Sequence, residues 1–329
     1  MCSSTIRWGI LGPGRIADKV VPDFAHVPHA EVVAVGSRSL ERAQAFATRH
    51  GIARAHGSYE ALIADPEVDV LYVATPHRQH RDVALAAIRA GKALLVEKSF
   101  TTTVAGAEAI VDLARSTRTF VMEAMWTRFQ PLVVQARALL AEGAIGEVRG
   151  VQADLGVDRP FDPKDRLFDL AQGGGAMLDL GVYVVSFAQM ILGTPVAVAA
   201  QGSLLPTGAD GEAALLLDHG DGRRAALLAT LRNPTPGQAR ILGSEGYLDI
   251  LPRFHHPTTM ELRRAGKEPE RIHAPPLGSG YSHELIEVTE CLRAGRTESA
   301  IMPLEDTLAV QRILNEACER IGVFHTEES

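Results

Sequence analysis

The side chains best suited to moving a proton lie in two separate stretches of the sequence. Lys98, one of five lysines in 329 residues, directly follows an apolar run and a glutamate. Asp179 and Tyr183 are four residues apart, so a helix would place them on one face, and Gly181 between them would leave room for a ligand or another segment. A free tyrosine has a pKa of about 10, and a neighbouring ammonium lowers it. If Lys98 reaches Tyr183, the pair can exchange a proton with a substrate oxygen.

Both features also have a plainer explanation. A lysine at a strand end is more often an exposed surface residue, and Asp179 and Tyr183 can form a buried hydrogen-bonded pair without a catalytic part. Ligands of open parallel sheets bind beyond the carboxyl ends of the strands, which favours chemistry at Lys98. The sequence therefore predicts Glu97 and Lys98 beside a bound ligand and leaves the plainer alternatives open.

A glycine-rich turn near the N-terminus is typical of a dinucleotide site. Gly12, Gly14 and Ala17 occupy the small-residue positions of the pattern G-x-G-x-x-G/A, between a predicted strand and a predicted helix. The glycines permit a tight turn and a close backbone approach to a pyrophosphate, and the helix that begins at Arg15 and Ile16 offers its N–H groups to the anion. Glycines can also serve the turn alone, but the flanking elements favour cofactor binding.

The end of the second predicted strand distinguishes the two nicotinamide dinucleotides. An NAD site usually offers Asp or Glu to the ribose 2′-hydroxyl there, whereas residues 32–40 contain no carboxylate and include Ser37 and Arg38. Arg38 and Arg42, one helical turn further on, can clamp a 2′-phosphate through their planar guanidinium groups. The alternative is a solvated arginine pair on a surface helix. We expect NADP(H) in preference to NAD(H).

Neither the histidines nor the cysteines suggest a metal site. The paired histidines have carboxylates nearby only by chance, and the three cysteines match neither a disulfide framework nor a zinc-ligand spacing. We therefore expect no metal and a reduced, cytoplasmic setting. The residues concerned are His77, His80, His255, His256, Cys2, Cys291 and Cys318.

The elements that must position these residues follow from the apolar pattern. Short β-branched runs alternate with Ala-rich amphipathic runs, which indicates right-handed βαβ crossovers and a doubly wound parallel sheet. We expect a Rossmann-type domain with six strands over residues 1–124. Five of its strands are predicted at residues 6–11, 31–37, 70–74, 93–96 and 119–122, and its helices at 15–25, 40–50, 81–90 and 104–115.

From residue 125 onward the rhythm changes. Several extended segments follow one another at short spacing without intervening helices, which indicates a largely antiparallel sheet. Helices are predicted at 128–142, 174–192, 282–294 and 304–321, and a long strand at 146–156. The predicted fold class is α/β, with a Rossmann-type N-terminal domain and an α+β C-terminal domain, residues 125–329, on an open, mostly antiparallel sheet.

The composition narrows the classes of function. Lys and Arg number 33 and Asp and Glu 40, which gives a net charge of −7. This charge argues against a nucleic-acid-binding protein, which must neutralise phosphate backbones. Hydrophobic residues are 46% and charged residues 22%, which suits a packed core. The N-terminus lacks the form of a signal peptide, and every apolar run is interrupted before the roughly 18 residues that a membrane span needs. We expect a soluble protein without nucleic-acid or membrane partners.

Together these motifs resemble the glucose-fructose oxidoreductase, inositol dehydrogenase and rhizopine-catabolism (Gfo/Idh/MocA) family. The resemblance runs along nearly the whole chain and includes the glycine turn, Glu97-Lys98 and the Asp179-x-Gly-x-Tyr183 helix. Longer strings are similar to the branch of dihydrodiol and NADP-dependent D-xylose dehydrogenases and are more specific than the glycine turn. They lie at residues 7–10, 57–60, 122–129 and 174–183.

The resemblance implies a role for each matching residue. Lys98 would contact the nicotinamide ribose and the substrate, Tyr183 would give or take the proton, and Asp179 would orient the substrate hydroxyl. Arg38 and Arg42 match the 2′-phosphate clamp of that branch. The nicotinamide would lie beside Thr75, Pro76, His80, Glu97 and Trp126. The substrate cleft would be lined by Trp126, Arg128, Arg149, Leu155 and Tyr281.

Two departures from the family pattern limit these implications. Ser99 replaces the usual proline, which removes a rigid φ beside Lys98. Leu155 stands where the branch tends to have an aromatic residue, and residues 201–203 lie near positions where it carries arginines. The substrate itself therefore does not transfer, and we expect a hydroxyl or carbonyl of a sugar, cyclic polyol or dihydrodiol.

Two hypotheses of function remain. The first is an NADP(H)-dependent oxidoreductase, a dehydrogenase or reductase acting on CH–OH groups, with Lys98 and Tyr183 as its acid–base pair. The second is a catalytically silent NADP(H)-binding sensor or regulatory protein of the same fold, because a fold does not fix a function. The presence of Lys98, Asp179 and Tyr183 together favours the first. The resemblance also implies a homodimer or homotetramer formed through the C-terminal sheet.

Overall fold

A computed structural model describes residues 5–327 of the chain. The chain folds into two compact units. The first unit contains the chain up to Ala124 and the segment Leu277–Thr307, and the second contains Met125–Pro276 and the chain from Leu308 onward. The predicted C-terminal domain thus includes a segment, Leu277–Thr307, that packs with the N-terminal unit.

The first unit is built on a parallel sheet of six strands in the order β3-β2-β1-β4-β5-β6. Strands β4, β5 and β6 are buried along their whole length, as expected for strands covered on both faces. This confirms the predicted Rossmann-type sheet. The strands are β1 (Ile6–Leu11), β2 (Ala30–Gly36), β3 (Arg54–His56), β4 (Val70–Val73), β5 (Ala93–Glu97) and β6 (Val121–Ala124).

The helices of this unit begin and end where local chemistry stops them. Ser39 accepts a hydrogen bond from the Arg42 N–H, and Thr103 accepts one from the Gly106 N–H, so each caps a helix start. Gly51 ends one helix in the left-handed conformation that glycine adopts easily. The helices are α1 (Arg15–Val20), continued by a 3₁₀ turn (Val21–His26), α2 (Leu40–His50), α3 (Tyr59–Ile63), α4 (His77–Arg89) and α5 (Val104–Thr117).

One buried carboxylate joins the segment Leu277–Thr307 to the N-terminal part of the first unit. Asp23 accepts backbone hydrogen bonds from Ser279, Tyr281 and Ser282, at 2.8, 2.8 and 3.0 Å. These N–H groups lie at the start of helix α8 (Ser282–Arg293), where a negative charge is favourable. A single aspartate in the 3₁₀ turn after α1 therefore binds a helix more than 250 residues further along the chain.

The second unit is built on an eight-stranded sheet in the order β14-β13-β12-β11-β7-β10-β9-β8. Every neighbouring pair is antiparallel except β7 and β10, which confirms the predicted open, mostly antiparallel sheet. The strands are β7 (Val148–Gly156), β8 (Ala197–Leu204), β9 (Asp210–Asp218), β10 (Arg224–Thr230), β11 (Ala239–Gly243), β12 (Gly246–Ile250), β13 (Thr259–Arg264) and β14 (Glu270–His273).

A long apolar helical stretch packs on one face of this sheet. Over residues 170–192 it consists of a 3₁₀ turn, a π turn (Met177–Gly181) and helix α7 (Val182–Leu192), whereas the sequence predicted one helix over residues 174–192. Leu170–Leu192 has the length and apolarity of a membrane-crossing helix. However, 78% of its apolar 18-residue stretch is buried inside the protein, as in a core helix. The unit also contains α6 (Pro131–Ala141) and part of α9 (Leu304–Arg320).

Candidate active site

The glycine turn has the geometry that a dinucleotide needs. Gly12 has φ +97°, and a Cβ there would lie 3.0 Å from the Ala74 carbonyl oxygen and 3.3 Å from the Thr75 side chain. Gly14 precedes α1, and a Cβ added to it meets no atom of residues 5–327 within 4 Å. The turn therefore packs against the end of β4 while leaving open space above Gly14, and it fits a pyrophosphate at the helix start.

The residues after β2 include two exposed arginines. Ser37 is buried, and its hydroxyl accepts a hydrogen bond from the Ser39 N–H at 3.3 Å. Arg38 and Arg42 are exposed, and neither guanidinium forms an ion pair within residues 5–327. Two unpaired guanidinium groups one helical turn apart can bind a phosphate with several donors.

Two histidines contact the backbone carbonyl groups of Lys98 and of the residue that follows it. His77 Nε2 lies 3.1 Å from the Lys98 carbonyl oxygen, and His80 Nδ1 lies 3.1 Å from that of Ser99. His80 Nε2 lies 2.8 Å from the Thr75 carbonyl oxygen, so this fully buried ring links the ends of β4 and β5. His80, predicted beside the nicotinamide, supports the loop that carries Lys98. The Lys98–Ser99 peptide bond is cis.

A buried acidic cluster lies under the same strand end. Glu97 accepts hydrogen bonds from the Tyr72 hydroxyl and, at 3.2 Å, from the Lys98 N–H. Burial and then Glu97 raise the pKa of Tyr72 well above its usual value, so the phenol is a neutral donor. Burial and then Glu97 also raise the pKa of Glu284, on α8, well above its usual value. Glu97 thus anchors the strand end, and the sequence did not reveal Tyr72 and Glu284 because their partners are distant in the chain.

The second unit places Asp179 and Tyr183 on consecutive turns of one helical stretch. Asp179 lies in the π turn, is 22% exposed, and has Arg166 Nη2 4.0 Å from its carboxylate. A Cβ on Gly181 would lie 2.9 Å from the Met177 side chain, so the close approach at this glycine is made by its own helix. Tyr183, at the start of α7, is partly exposed.

Tyr183 lies at one side of a cluster of aromatic and histidine rings. The ring centroid of His255 lies 5.3 Å from that of Tyr183 and 6.1 Å from that of Trp126, and His256 stacks on Trp126 at 4.9 Å. Thr127 donates a hydrogen bond of 2.9 Å to the His255 carbonyl, which fixes this loop. In the sequence, His255 and His256 stood out only as metal ligands, and we expected no metal there. The contact of His255 with Tyr183 arises from the tertiary fold.

Arg128 is a structural residue in this unit. Arg128 is 1% exposed, and its guanidinium donates to Ser186 Oγ at 3.1 Å and to Gln189 Oε1 at 2.6 Å. Both partners lie on α7, within two turns after Tyr183. Arg128 therefore fixes the helix that carries Tyr183, in contrast to the cleft-lining place that the resemblance implied.

The remaining predicted substrate residues belong to different units of the chain. Arg149 is exposed at the start of β7, with a weak ion pair to Glu147 at 3.8 Å, whereas Leu155 is buried at the other end. Six residues of strand separate them by about 20 Å, too far to line one small pocket. Tyr281 belongs to the first unit, where its N–H donates to Asp23.

Family models match most of the chain. The model described as "Oxidoreductase family, NAD-binding Rossmann fold" (Gfo/Idh/MocA) matches residues 6–125, and the Gfo/Idh/MocA C-terminal domain matches residues 133–249. With the open glycine turn, these matches define an NAD(P)-binding oxidoreductase. The chain belongs to the Gfo/Idh/MocA family, as the sequence indicated.

Known relatives agree with this assignment. The chain is 37% identical to trans-1,2-dihydrobenzene-1,2-diol dehydrogenase of Xenopus tropicalis, over 97% of this chain and 99% of that one. It is 36% identical to the Homo sapiens protein of the same name, over 98% and 99%. Relatives of this kind are dehydrogenases, and the chain is an enzyme that acts on CH–OH groups.

Solved structures show the same fold over the full length. An aldose-aldose oxidoreductase from Caulobacter crescentus, complexed with glycerol, superimposes with a TM-score of 0.88 at 28% identity, covering 96% of this chain and 97% of that one. KijD10, a 3-ketoreductase from Actinomadura kijaniata, gives 0.85 at 27% identity and the same coverage, in a tyrosine-to-phenylalanine variant with TDP-benzene and NADP. A lysine-to-alanine variant of KijD10 gives 0.83 at 26% identity, covering 97% and 98%.

Proposed function

We propose that the chain is an NADP(H)-dependent oxidoreductase that moves a hydride between the nicotinamide and a hydroxyl or carbonyl carbon of a sugar, cyclic polyol or dihydrodiol. One observation carries the proposal. The chain presents an anchored Lys98 at the carboxyl end of a Rossmann strand and also presents Asp179 and Tyr183 on adjoining helical turns. This combination supplies an ammonium, a carboxylate and a phenol for redox chemistry at a carbon that bears oxygen.

The preference for NADP(H) rests on the residues after β2. Arg38 and Arg42 are exposed and have no ion-pair partner within residues 5–327, and no carboxylate occurs in residues 32–40 to accept a ribose 2′-hydroxyl. Several KijD10 structures that resemble this chain contain NADP. A 2′-phosphate would satisfy both guanidinium groups, whereas NAD(H) would leave them unused.

Each proposed catalytic residue has a distinct task. When bound, the reduced cofactor supplies a hydride to the carbonyl carbon. Tyr183 donates its hydroxyl proton to the carbonyl oxygen, which becomes the product hydroxyl, and the ammonium of Lys98 stabilises the phenolate that remains. Asp179 accepts a hydrogen bond from a neighbouring substrate hydroxyl and so orients the carbon that reacts. Oxidation of an alcohol uses the same groups in reverse.

The aromatic residues beside Tyr183 support a ring-shaped substrate. The rings of Trp126 and Tyr183 both lie next to that of His255, with centroids 6.1 and 5.3 Å away, and aromatic rings pack against the apolar side of sugars and cyclic diols. The relatives act on a dihydrodiol, on aldoses and on a 3-keto group, which all place an oxygen on a ring or sugar carbon. Leu155, which replaces an aromatic residue of the dihydrodiol branch, makes a sugar or an alicyclic polyol as good a candidate as an aromatic diol.

A panel assay tests this proposal. Purified protein is mixed with NADP⁺ and separate pentoses, hexoses, inositols and trans-dihydrodiols, or with NADPH and the corresponding carbonyl compounds, and absorbance of the reduced cofactor is followed. We expect turnover with at least one compound. A protein that binds NADPH but turns over none of these compounds would reject the proposal and favour the catalytically silent NADP(H)-binding sensor. That sensor is the weaker alternative, because the relatives are named as dehydrogenases.

We further propose that the enzyme forms a homo-oligomer through the outer face of the eight-stranded sheet and acts in the cytoplasm. On this face the register aligns Leu216 with Ala199 and Ala226, all exposed, and Leu216 is 53% exposed. A contiguous apolar patch on a sheet commonly marks a protein interface, and a second copy of this chain suits its small, flat side chains. Cys291 and Cys318 are free thiols, as in a reducing compartment.

A further inference from the structure

Three side chains of the second unit, two of them buried and that of His325 half-buried, bring different ligand atoms to one point. Asp210 begins β9, Cys318 lies near the end of α9, and His325 lies in the tail that follows. One oxygen, one sulfur and one nitrogen from these residues lie within 4.8 Å of one another. All three lie outside the residues that bind cofactor or substrate or transfer the proton in the proposed reaction.

The polar atoms of this group are poorly satisfied by the protein. Asp210 is fully buried, and its Oδ2 accepts a hydrogen bond of 2.6 Å from the Met177 N–H. Its Oδ1 has no hydrogen-bond partner among residues 5–327, and neither does either ring nitrogen of His325 by distance and angle, although the Leu170 backbone is near. Unpartnered buried groups are rare in native proteins and call for a bound ion or water.

The chemistry of the ligand atoms leads to the same conclusion. Asp210 and Cys318 offer an oxygen and a sulfur, which bind metals as carboxylate and thiolate, and His325 offers an imidazole nitrogen, which binds in its neutral form. A divalent cation would balance one carboxylate and one thiolate, so the group as a whole would be neutral.

We propose that Asp210, Cys318 and His325 form a binding site for a zinc-type divalent cation. Thiolate, imidazole and carboxylate together suit zinc, whereas magnesium and calcium take oxygen ligands alone. With bond lengths of about 2.0–2.3 Å, the ligand atoms of a tetrahedral site lie roughly 3.5 Å apart. Side-chain movements of about 1 Å would bring the three ligand atoms to this spacing around a cation. Three protein ligands leave the fourth position to water.

The site would have a structural role, because it would link the C-terminal tail to the helical stretch over residues 170–192. Asp210 binds the backbone of Met177, at the start of the π turn that holds Asp179 and precedes Tyr183. His325 belongs to the C-terminal tail. A cation held by both would tie the tail to the start of this π turn and would stabilise the second unit without taking part in hydride transfer.

Metal binding by the full, untagged chain tests the proposal. The protein is treated with a chelator, dialysed and titrated with Zn²⁺ or Co²⁺, with metal counted by elemental analysis and Co²⁺ followed by absorbance. We expect about one metal ion per chain, a thiolate-to-cobalt charge-transfer band and a higher thermal transition with Zn²⁺. Cys318→Ser should abolish the band, and His325→Gln should weaken Zn²⁺ binding by about tenfold or more.

A matched variant separates this site from other thiols. Cys291→Ser removes a buried thiol of the first unit and should leave both the band and the Zn²⁺ affinity unchanged. His325→Gln changes only a tail residue, so it keeps the test valid if Cys318→Ser folds poorly. Absence of stoichiometric Zn²⁺ binding by the parent chain, or binding that neither Cys318→Ser nor His325→Gln reduces, would overturn the proposal.

Discussion

Replacing Arg38 by alanine should remove the discrimination between NADPH and NADH. The guanidinium is exposed and has no ion-pair partner within residues 5–327, so its removal disturbs no internal ion pair there. A hydrogen bond to a charged group contributes about 1.5–3 kcal/mol, and exposure to solvent reduces this to about 1–2 kcal/mol here. Since about 1.4 kcal/mol is a factor of ten, Kd for NADPH should rise by roughly 5- to 30-fold.

The assay is fluorescence titration of both reduced cofactors, which reads binding without turnover. Arg42→Ala should have a smaller effect in the same direction, and the double variant a larger one, while Kd for NADH stays within about twofold because NADH lacks the 2′-phosphate. Arg89→Ala, which removes an exposed arginine at the far end of α4, serves as the control. An unchanged ratio of the two Kd values in the double variant would refute the assignment of the 2′-phosphate site.

Three further predictions address the chemistry, the fold and the assembly. Lys98→Ala should lower kcat by about 10²-fold or more with NADPH still bound; loss of binding alone, with kcat retained, would contradict its catalytic role. Burial raises the pKa of Asp65, but the Glu67 N–H, His56 and Arg54 outweigh it and hold the pKa below its usual value. Asp65→Asn should therefore destabilise the protein by about 1–2 kcal/mol at pH 7, and the difference should shrink progressively below about pH 4, as the pH falls through the lowered pKa of Asp65; urea unfolding at pH 7 and at several pH values below 4 measures this. Leu216→Asp should reduce the mass seen by light scattering to that of the 35.3 kDa chain, whereas Lys164→Ala, with the same change in net charge, should not; an oligomer unaffected by Leu216→Asp would exclude this face.

Local sequence patterns predicted the limits of those elements whose ends are set by nearby residues. The first strand and α2 have the predicted limits because a buried apolar run precedes Gly12, and Ser39 and Gly51 cap the helix. Strand β3, only three residues long and polar, has no apolar pattern to reveal it and is held by Asp65, which pairs with Arg54 and His56.

The rest of the candidate site depends on contacts between residues distant in the chain. The burial of Arg128 requires Ser186 and Gln189, and the position of His255 beside Tyr183 requires the loop after β12 to return to α7. Likewise, Asp23 selects a partner helix that no periodicity indicates. Sequence spacing identifies side chains able to do chemistry, but tertiary packing decides which of them support the structure and which are exposed.

Rapid-mixing kinetics of Tyr183→Phe test the central claim most directly. With NADPH and the best carbonyl compound from the panel, kcat should fall by about 10²–10⁴-fold while Kd for NADPH stays within about twofold. Tyr247→Phe, which alters a partly exposed tyrosine of the eight-stranded sheet, should leave both unchanged. A Tyr183→Phe enzyme that transfers hydride at the rate of the parent would contradict the claim that this phenol moves the proton.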